Sequence, residues 1–322
     1  MILLDTHCDT PSALLRGRVM EEDAPESHVD FPKLIRGGVD ACFFALYTSN
    51  EMPVPEAVTK VMRMLAATSD VLSRNERLAA LATDPSQIAV NRAAGKVSIF
   101  LGMENGSPLC GDLNLLRLYY RMGVRYLTLT HNGDNDICDS AAEARRWNGL
   151  SPFGREVVAE MNRLGMIVDI AHCSDKTFWD CIEASRAPIV STHSCCRALC
   201  NHPRNLTDDM IRALARKGGV IQINFYPVFL SEDWEQHRPG VKEVVDHIDH
   251  AVRVGGIGHV GIGTDYDGIE VTPEGLENIS MLPKVFDEMR RRGYSEADIA
   301  QVAGGNFIRV FEQVISVARS LS

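Results

Sequence analysis

The chain has 322 residues, 45% of them hydrophobic and 24% charged, with a formal net charge of −10. That length and balance suit a soluble α/β barrel with a full core and exclude a collagen-like, low-complexity or disulfide-stapled architecture. The acidic balance argues against nucleic acid or an anionic membrane as a partner, because both would be repelled.

The chain opens on a short strand-like run, Ile2–Leu4, that meets Asp5 at once. It lacks the basic and long apolar regions of a signal peptide. No later run approaches a membrane span, and the C-terminus carries no lipidation pattern. The expectation is a cytoplasmic protein with no membrane partner.

Further runs rich in β-branched and aromatic residues follow at Ala41–Tyr47, Val97–Leu101, Val124–Leu129, Ile167–Ile170, Ile189–Ser191, Val220–Phe225 and Val260–Ile262. Each is short enough to be a buried strand. Amphipathic helical patterns alternate with them: Val58–Arg74, Leu113–Met122, Phe153–Leu164, Asp175–Ala184, Asp208–Lys217 and Val241–Val254. Leu282–Arg292 and Glu296–Ala303 continue the pattern after the last strand. Thr207 stands as an N-cap, and Gly165, Gly218 and Gly219 stand where helices should stop.

This alternation predicts the α/β class and a (β/α)8 TIM-type barrel, as one domain over residues 1–322. The rival is an open doubly wound sheet. It is weakened by the lack of a Gly-rich phosphate turn after the first strand; Gly261-Ile262-Gly263 reads better as close packing beside a strand end.

The nine cysteines are odd in number and follow no regular framework, which suits a reduced compartment. Cys195, Cys196 and Cys200 cluster, but no second pair stands at zinc-finger spacing, so they read as structural.

Chemistry concentrates at the strand ends. In His7-Cys8-Asp9, alternation along a strand sends His7 and Asp9 to one side. In a barrel that side can be the interior at the C-terminal mouth, where active sites sit. His172 and His193 each follow an apolar strand, and Glu104 follows another between Gly102 and Gly106, which would allow close backbone approach. Together these five make a coherent binuclear metal site. His7 and Asp9 would hold one ion, His172 and His193 the other, and Glu104 would bridge, leaving positions open for water. No lysine lies in the third, fourth or fifth strand to supply a carbamate bridge instead.

Asp265, near the end of the eighth strand, is the candidate base, and Asp267 a turn-organising residue. Arg204 is placed to clamp a substrate carboxylate, and His131 to polarise a scissile carbonyl. His247 and His250 read as a solvated helix face, and His28, His202, His237 and His259 are set aside in the same way.

In order and spacing these segments resemble the membrane (renal) dipeptidase family of amidohydrolase-like barrels. The matching stretches include Asp5-Thr6-His7-Cys8-Asp9, Ser27-His28-Val29-Asp30-Phe31-Pro32, Gly102-Met103-Glu104-Asn105-Gly106 and Tyr126-Leu127-Thr128-Leu129-Thr130-His131. They continue with Gly149-Leu150-Ser151-Pro152-Phe153-Gly154, Asp169-Ile170-Ala171-His172, Ser191-Thr192-His193-Ser194, Arg204-Asn205 and Gly263-Thr264-Asp265-Tyr266-Asp267-Gly268.

The resemblance implies two zinc ions per chain held by His7, Asp9, Glu104, His172 and His193, and hydrolysis of dipeptide substrates by a metal-bridging hydroxide. It implies that His131 and Arg204 contact substrate, that Asp265 acts in the active site, and that the protein is a homodimer. The chain lacks the secretion and anchoring signals of the mammalian enzymes, so it looks like a microbial relative. The segment Asn132–Asp139, which helps shape the pocket, lacks the tryptophans of the mammalian forms. The competing readings are another metal-dependent hydrolase on the same barrel, such as a deaminase or lactonase, and a ligand-binding barrel without turnover.

Overall fold

The computed structural model describes residues 1–142 and 145–321. Its strands are β1 (Leu4–Cys8), β2 (Ala41–Tyr47), β3 (Ala79–Leu81), β4 (Val97–Glu104), β5 (Val124–Thr128), β6 (Ile167–Asp169), β7 (Val190–Ser194), β8 (Val220–Ile223) and β9 (Val260–Ile262). Every pairing is parallel, in the order β1-β2-β4-β5-β6-β7-β8-β9, with β3 on β4. The loop after β9 closes the ring onto the end of β1: Asp9 N donates to Tyr266 O at 2.8 Å and Asp265 N to His7 O at 3.0 Å. The result is the expected (β/α)8 TIM-type barrel, nearly closed.

Two strand expectations shift. The first strand runs Leu4–Cys8 rather than Ile2–Leu4, so His7 lies within it. The three-residue β3 was not expected; it is too short to show alternation and lacks β-branched residues. It pairs with the start of β4, Ala79 opposite Val97, below the point where β5 begins opposite Leu101.

The long helix Val54–Arg74 shows how the outer layer forms. Ala57, Val61, Met64, Leu65, Thr68, Val71 and Leu72 are buried, and they recur at the three- and four-residue spacing that makes one apolar stripe. Ser151, Ser174 and Thr207 cap later helices by accepting from Gly154 N, Thr177 N and Met210 N. Gly165, at φ +78°, ends one helix in the left-handed conformation.

The final helix, Asn306–Leu321, lies under the barrel floor. Its Phe307, Val310, Phe311 and Val314 join Leu4, Phe43, Phe100, Ile167, Val190 and Val220 in one buried cluster. A second, larger apolar cluster fills the space between the strands and the outer helices. Among the described residues, no helix is long and apolar enough to cross a membrane.

His247 and His250 do not form a solvated face. His247 is 1% exposed and spans two loops, accepting from Cys196 N at Nδ1 (3.0 Å) and approaching Leu230 O through Nε2 (3.1 Å). His250 pairs with Asp208 at 2.7 Å. Polar side chains on this face are satisfied by neighbouring backbone and side chains, so burial costs little. Cys195, Cys196 and Cys200 are buried free thiols that donate to backbone carbonyls.

Candidate metal centre

The barrel mouth gathers the residues that the sequence singles out. His7 sits in β1, Asp9 just past it, Glu104 at the end of β4 and His193 in β7. His131, His172 and Asp265 lie on the loops that leave β5, β6 and β9. Glu104 is the hub: its Oε2 lies 3.5 Å from His7 Nε2, and its Oε1 lies 3.0 Å from His172 Nε2 and 3.6 Å from His193 Nε2. His7 Nε2 also lies 3.6 Å from Asp9 and 3.9 Å from Asp265.

Among the described residues, three overlapping trios bring ligand atoms within 4.8 Å of one another: His7, Glu104 and His193; Glu104, His131 and His172; His7, Asp9 and Asp265. His131 thus stands within ligand distance, although the sequence reading leaves it outside the ligand set.

Each histidine is oriented from behind. His172 Nδ1 donates to Asn132 Oδ1 at 2.8 Å. The Thr192 hydroxyl gives its hydrogen to Asp169 Oδ2 (2.6 Å) and so accepts from His193 Nδ1 (2.8 Å). Both rings therefore turn a bare Nε2 lone pair inward, and these two atoms are 2.9 Å apart. Facing lone pairs at that distance repel unless an electrophile joins them. Nδ1 anchored to an acceptor with Nε2 left free is the usual preparation of a histidine ligand. His7 is held through Nδ1 by the Tyr126 hydroxyl at 2.8 Å. Its Nε2 and Asp9 Oδ1 are buried without a hydrogen-bond partner. Orphaned polar atoms of this kind need an explanation, and a cation shared by nitrogen and carboxylate donors supplies one. The donor set is the N/O set that zinc accepts.

The electrostatics prepare His172 and His193 directly, whereas the charge that Glu104 and Asp9 favour on His7 is one a bound cation would replace. Burial, with Arg204 adding, holds His172 and His193 well below the usual imidazole range, hence neutral. Burial and the charge of Glu104 push Asp9 up to about 6. Burial, reinforced by Asp9 and Glu104, raises Asp265 to about 7. Burial also disfavours the Glu104 carboxylate, but His7 and His172 outweigh it and keep its pKa well below the usual range. Burial opposes a charge on His7, and Glu104 and Asp9 overcome that.

Backbone geometry is unusual here. His172 and Asp265 both adopt φ +65°, a left-handed conformation costing about 1–3 kcal/mol for a non-glycine residue. Gly268 is needed for close approach, since a Cβ there would fall 2.2 Å from Asp9 Oδ2. Gly102 also permits an approach, but what comes close is the Tyr126 ring that backs His7.

A cleft of about 620 Å³ opens above, lined by Asp9, Glu104, His131, His172 and Asp265 among others. Arg204 is not on its lining. It lies behind, donating to His193 O at 3.1 Å and stacked 5.2 Å from the ring of Phe229, which does line the cleft. Its buried Nε has no partner. Asp267 accepts from Thr10 at 2.9 Å and Arg18 at 3.3 Å, while its own N–H donates to His28 at 3.0 Å. His28 therefore braces the loop that carries Asp265. The sequence reading gives no site role to Tyr126, Thr192, Asn224 or His28. Tyr126, Asn224 and His28 act on partners far along the chain, and Thr192 on its neighbour His193 and on Asp169; Tyr126, His28 and Thr192 stand in stretches that match the family, which gives them no role of their own.

The family model for membrane dipeptidase (peptidase family M19) matches residues 1–322. The chain belongs to this family. Among its relatives, a dipeptidase of Claviceps purpurea, tcpJ, is 37% identical over 91% of this chain and 71% of its own length. The Aspergillus oryzae dipeptidase aclJ is 35% identical, covering 96% and 75%. Among solved structures, the probable dipeptidase PvdM of Pseudomonas aeruginosa superposes with a TM-score of 0.90 at 28% identity, over 99% of this chain and 96% of that one. A Rhodobacter sphaeroides metallopeptidase, solved with a phosphinate mimic of the dipeptide L-Ala-D-Ala, also gives 0.90, at 26% identity over 98% and 99%. The chain is thus a metallopeptidase of the dipeptidase type.

Proposed function

We propose that this protein is a zinc-dependent dipeptidase with two metal ions per chain. The observation that carries the reading is the buried convergence of His7, Asp9, Glu104, His172 and His193, with two imidazole lone pairs only 2.9 Å apart. His7 and Asp9 would hold one ion, His172 and His193 the other, and Glu104 both. Bound there, zinc would acidify a water molecule to make the attacking hydroxide and polarise the peptide carbonyl.

The chain's own groups supply the rest. Asp265, on the cleft wall 3.9 Å from His7 Nε2, can accept a proton at Oδ1 and return it to the leaving amine. Asn224 Nδ2 donates to its Oδ2 at 2.9 Å and fixes the carboxylate. His131, kept neutral by burial, can donate a hydrogen bond to the carbonyl oxygen from the cleft wall. Arg204, buried beside the Phe229 ring with an unpartnered Nε, would hold the C-terminal carboxylate of a substrate that displaces that ring, and so restrict it to short peptides. One domain and a homodimer, as the family resemblance implies, complete the proposal; light scattering at twice the 35.6 kDa chain mass would match the dimer.

The test is a dipeptide library assayed with added zinc, with and without chelator. Release of free amino acids that chelation abolishes and zinc restores is the expected result. Release of ammonia, or of nothing, overturns it.

A further inference from the structure

Two cations line the cleft without a carboxylate in ion-pair contact. Lys60 projects from the helix Val54–Arg74 and Arg16 follows the helix Thr10–Leu15; both line the cavity. The Lys60 ammonium lies 4.5 Å from the centre of the Tyr47 ring, and that ring stands edge-on to His131 at 4.8 Å. Among the described residues, no carboxylate lies within ion-pair distance of either cation, although Asp267 on the same cleft wall is paired with Arg18 at 3.3 Å. The acids that attract Lys60 are Asp9 and Glu104. In the reading above those two are ligands, and bound cations neutralise them. Asp265, Asp267 and Glu270 also line the cleft, but none lies within ion-pair distance of Lys60 or Arg16; Asp267 pairs with Arg18 and Glu270 accepts from the Tyr226 hydroxyl. A half-buried ammonium without a counter-ion is disfavoured, and burial already lowers its proton affinity. An anionic group brought by the substrate removes that penalty.

We propose that Lys60, supported by Arg16 at the rim, forms a subsite for a carboxylate side chain, so that the preferred substrates are dipeptides containing an acidic residue. The proposal rests on the dipeptidase reading and names its substrate class. Tyr47 fixes the direction of Lys60 through the face of its ring, a contact that favours a cation. The subsite lies beside His131, so an acid held there belongs to a residue flanking the scissile bond.

The experiment compares kcat/KM for Asp-Ala and Ala-Asp with Asn-Ala and Ala-Asn, in wild type, Lys60→Met, Lys60→Arg and Arg16→Met. Because each acid-to-amide ratio is taken within one protein preparation, partial misfolding cancels. In wild type one acid should exceed its amide by about tenfold, the usual scale of a hydrogen bond to a charged group. Lys60→Met should bring that ratio close to one, Lys60→Arg should keep most of it, and Arg16→Met should lower it less because Arg16 is exposed. A wild-type ratio near one, or a ratio untouched by Lys60→Met, overturns the subsite and leaves the dipeptidase reading standing. An equal loss on all four peptides that vanishes with C-terminal amides also overturns it, since Lys60 would then hold the main-chain carboxylate. If none of the four is cleaved, the dipeptidase reading falls and the subsite falls with it.

Discussion

The two ends of the barrel are built from the same strands and obey opposite rules. At the floor, Leu4, Phe43, Phe100 and Val190 meet Phe307 and Phe311 of the last helix in a wholly apolar contact, with the Phe43 and Phe100 rings stacked at 4.9 Å. At the mouth, the same strands end in His7, Glu104 and His193, which are as buried as the floor but polar and incompletely paired. β4 shows the change within one strand, from Phe100 below to Glu104 above. The left-handed His172 and Asp265 occur only at the upper end. The floor holds the strands together so that the mouth can keep strained backbone and unsatisfied donors in place.

That contrast can be broken from either side. At the mouth, Asp265→Asn keeps the side chain's size but cannot take a proton. It should lower kcat by about 10²–10⁴ and leave metal content unchanged; near-normal turnover with full metal would remove Asp265 from the chemistry. At the floor, Phe311→Ala should cost about 3–5 kcal/mol of stability, read by chemical denaturation, with kcat per folded molecule retained. Loss of kcat without loss of stability would mean the two ends are not separable in this way. Asn132→Ala removes the acceptor that orients His172 and should weaken metal binding about 10- to 100-fold, checked by competition with a chromogenic chelator; unchanged affinity would leave Asn132 a loop residue only.

A further effect concerns a region outside both ends. Burial holds His247 at about 4, with the Leu230 carbonyl opposing weakly. The unfolded chain binds this proton from about pH 6.5 downward, while the folded chain refuses it until about 4. Stability is therefore complete above pH 6.5 and falls as pH drops through that window, by up to about 3 kcal/mol. His247→Gln should flatten that part of the stability profile. An identical slope in wild type and variant would place the acid sensitivity elsewhere.

Much of the mouth was legible because strand alternation is a local rule. His-x-Asp in an apolar run must send both side chains one way, and barrel architecture then says where that way leads. Glu104, His172 and His193 were legible for the same reason, each being a ligand-type residue at the end of an apolar run. What decides their readiness was not legible: Tyr126, Asn132 and Thr192 act through contacts between separate strands and loops, and the positive φ of His172 has no signal in its own side chain. The floor helix was missed because an apolar stripe does not say which surface it covers. His247 and His250 were misread because their mid-helix place away from the barrel mouth suggested a solvated face, whereas His247 turns inward against the loop that carries Cys196. Arg204 was found, but its place behind the cleft wall, stacked on Phe229, depends on a loop path that sequence alone does not trace.

In the proposed two-metal site, Glu104 would hold both ions at the mouth. The direct measurement is elemental analysis of wild type and Glu104→Gln, purified side by side after loading with zinc and desalting, with dipeptide turnover on the same samples. The account predicts about two zinc ions per wild-type chain, and in the variant a loss of metal together with a fall in kcat of roughly 10³ or more, since several kcal/mol of charge stabilisation depend on the metals. One tightly held ion in wild type, with Glu104→Gln fully active, would contradict it.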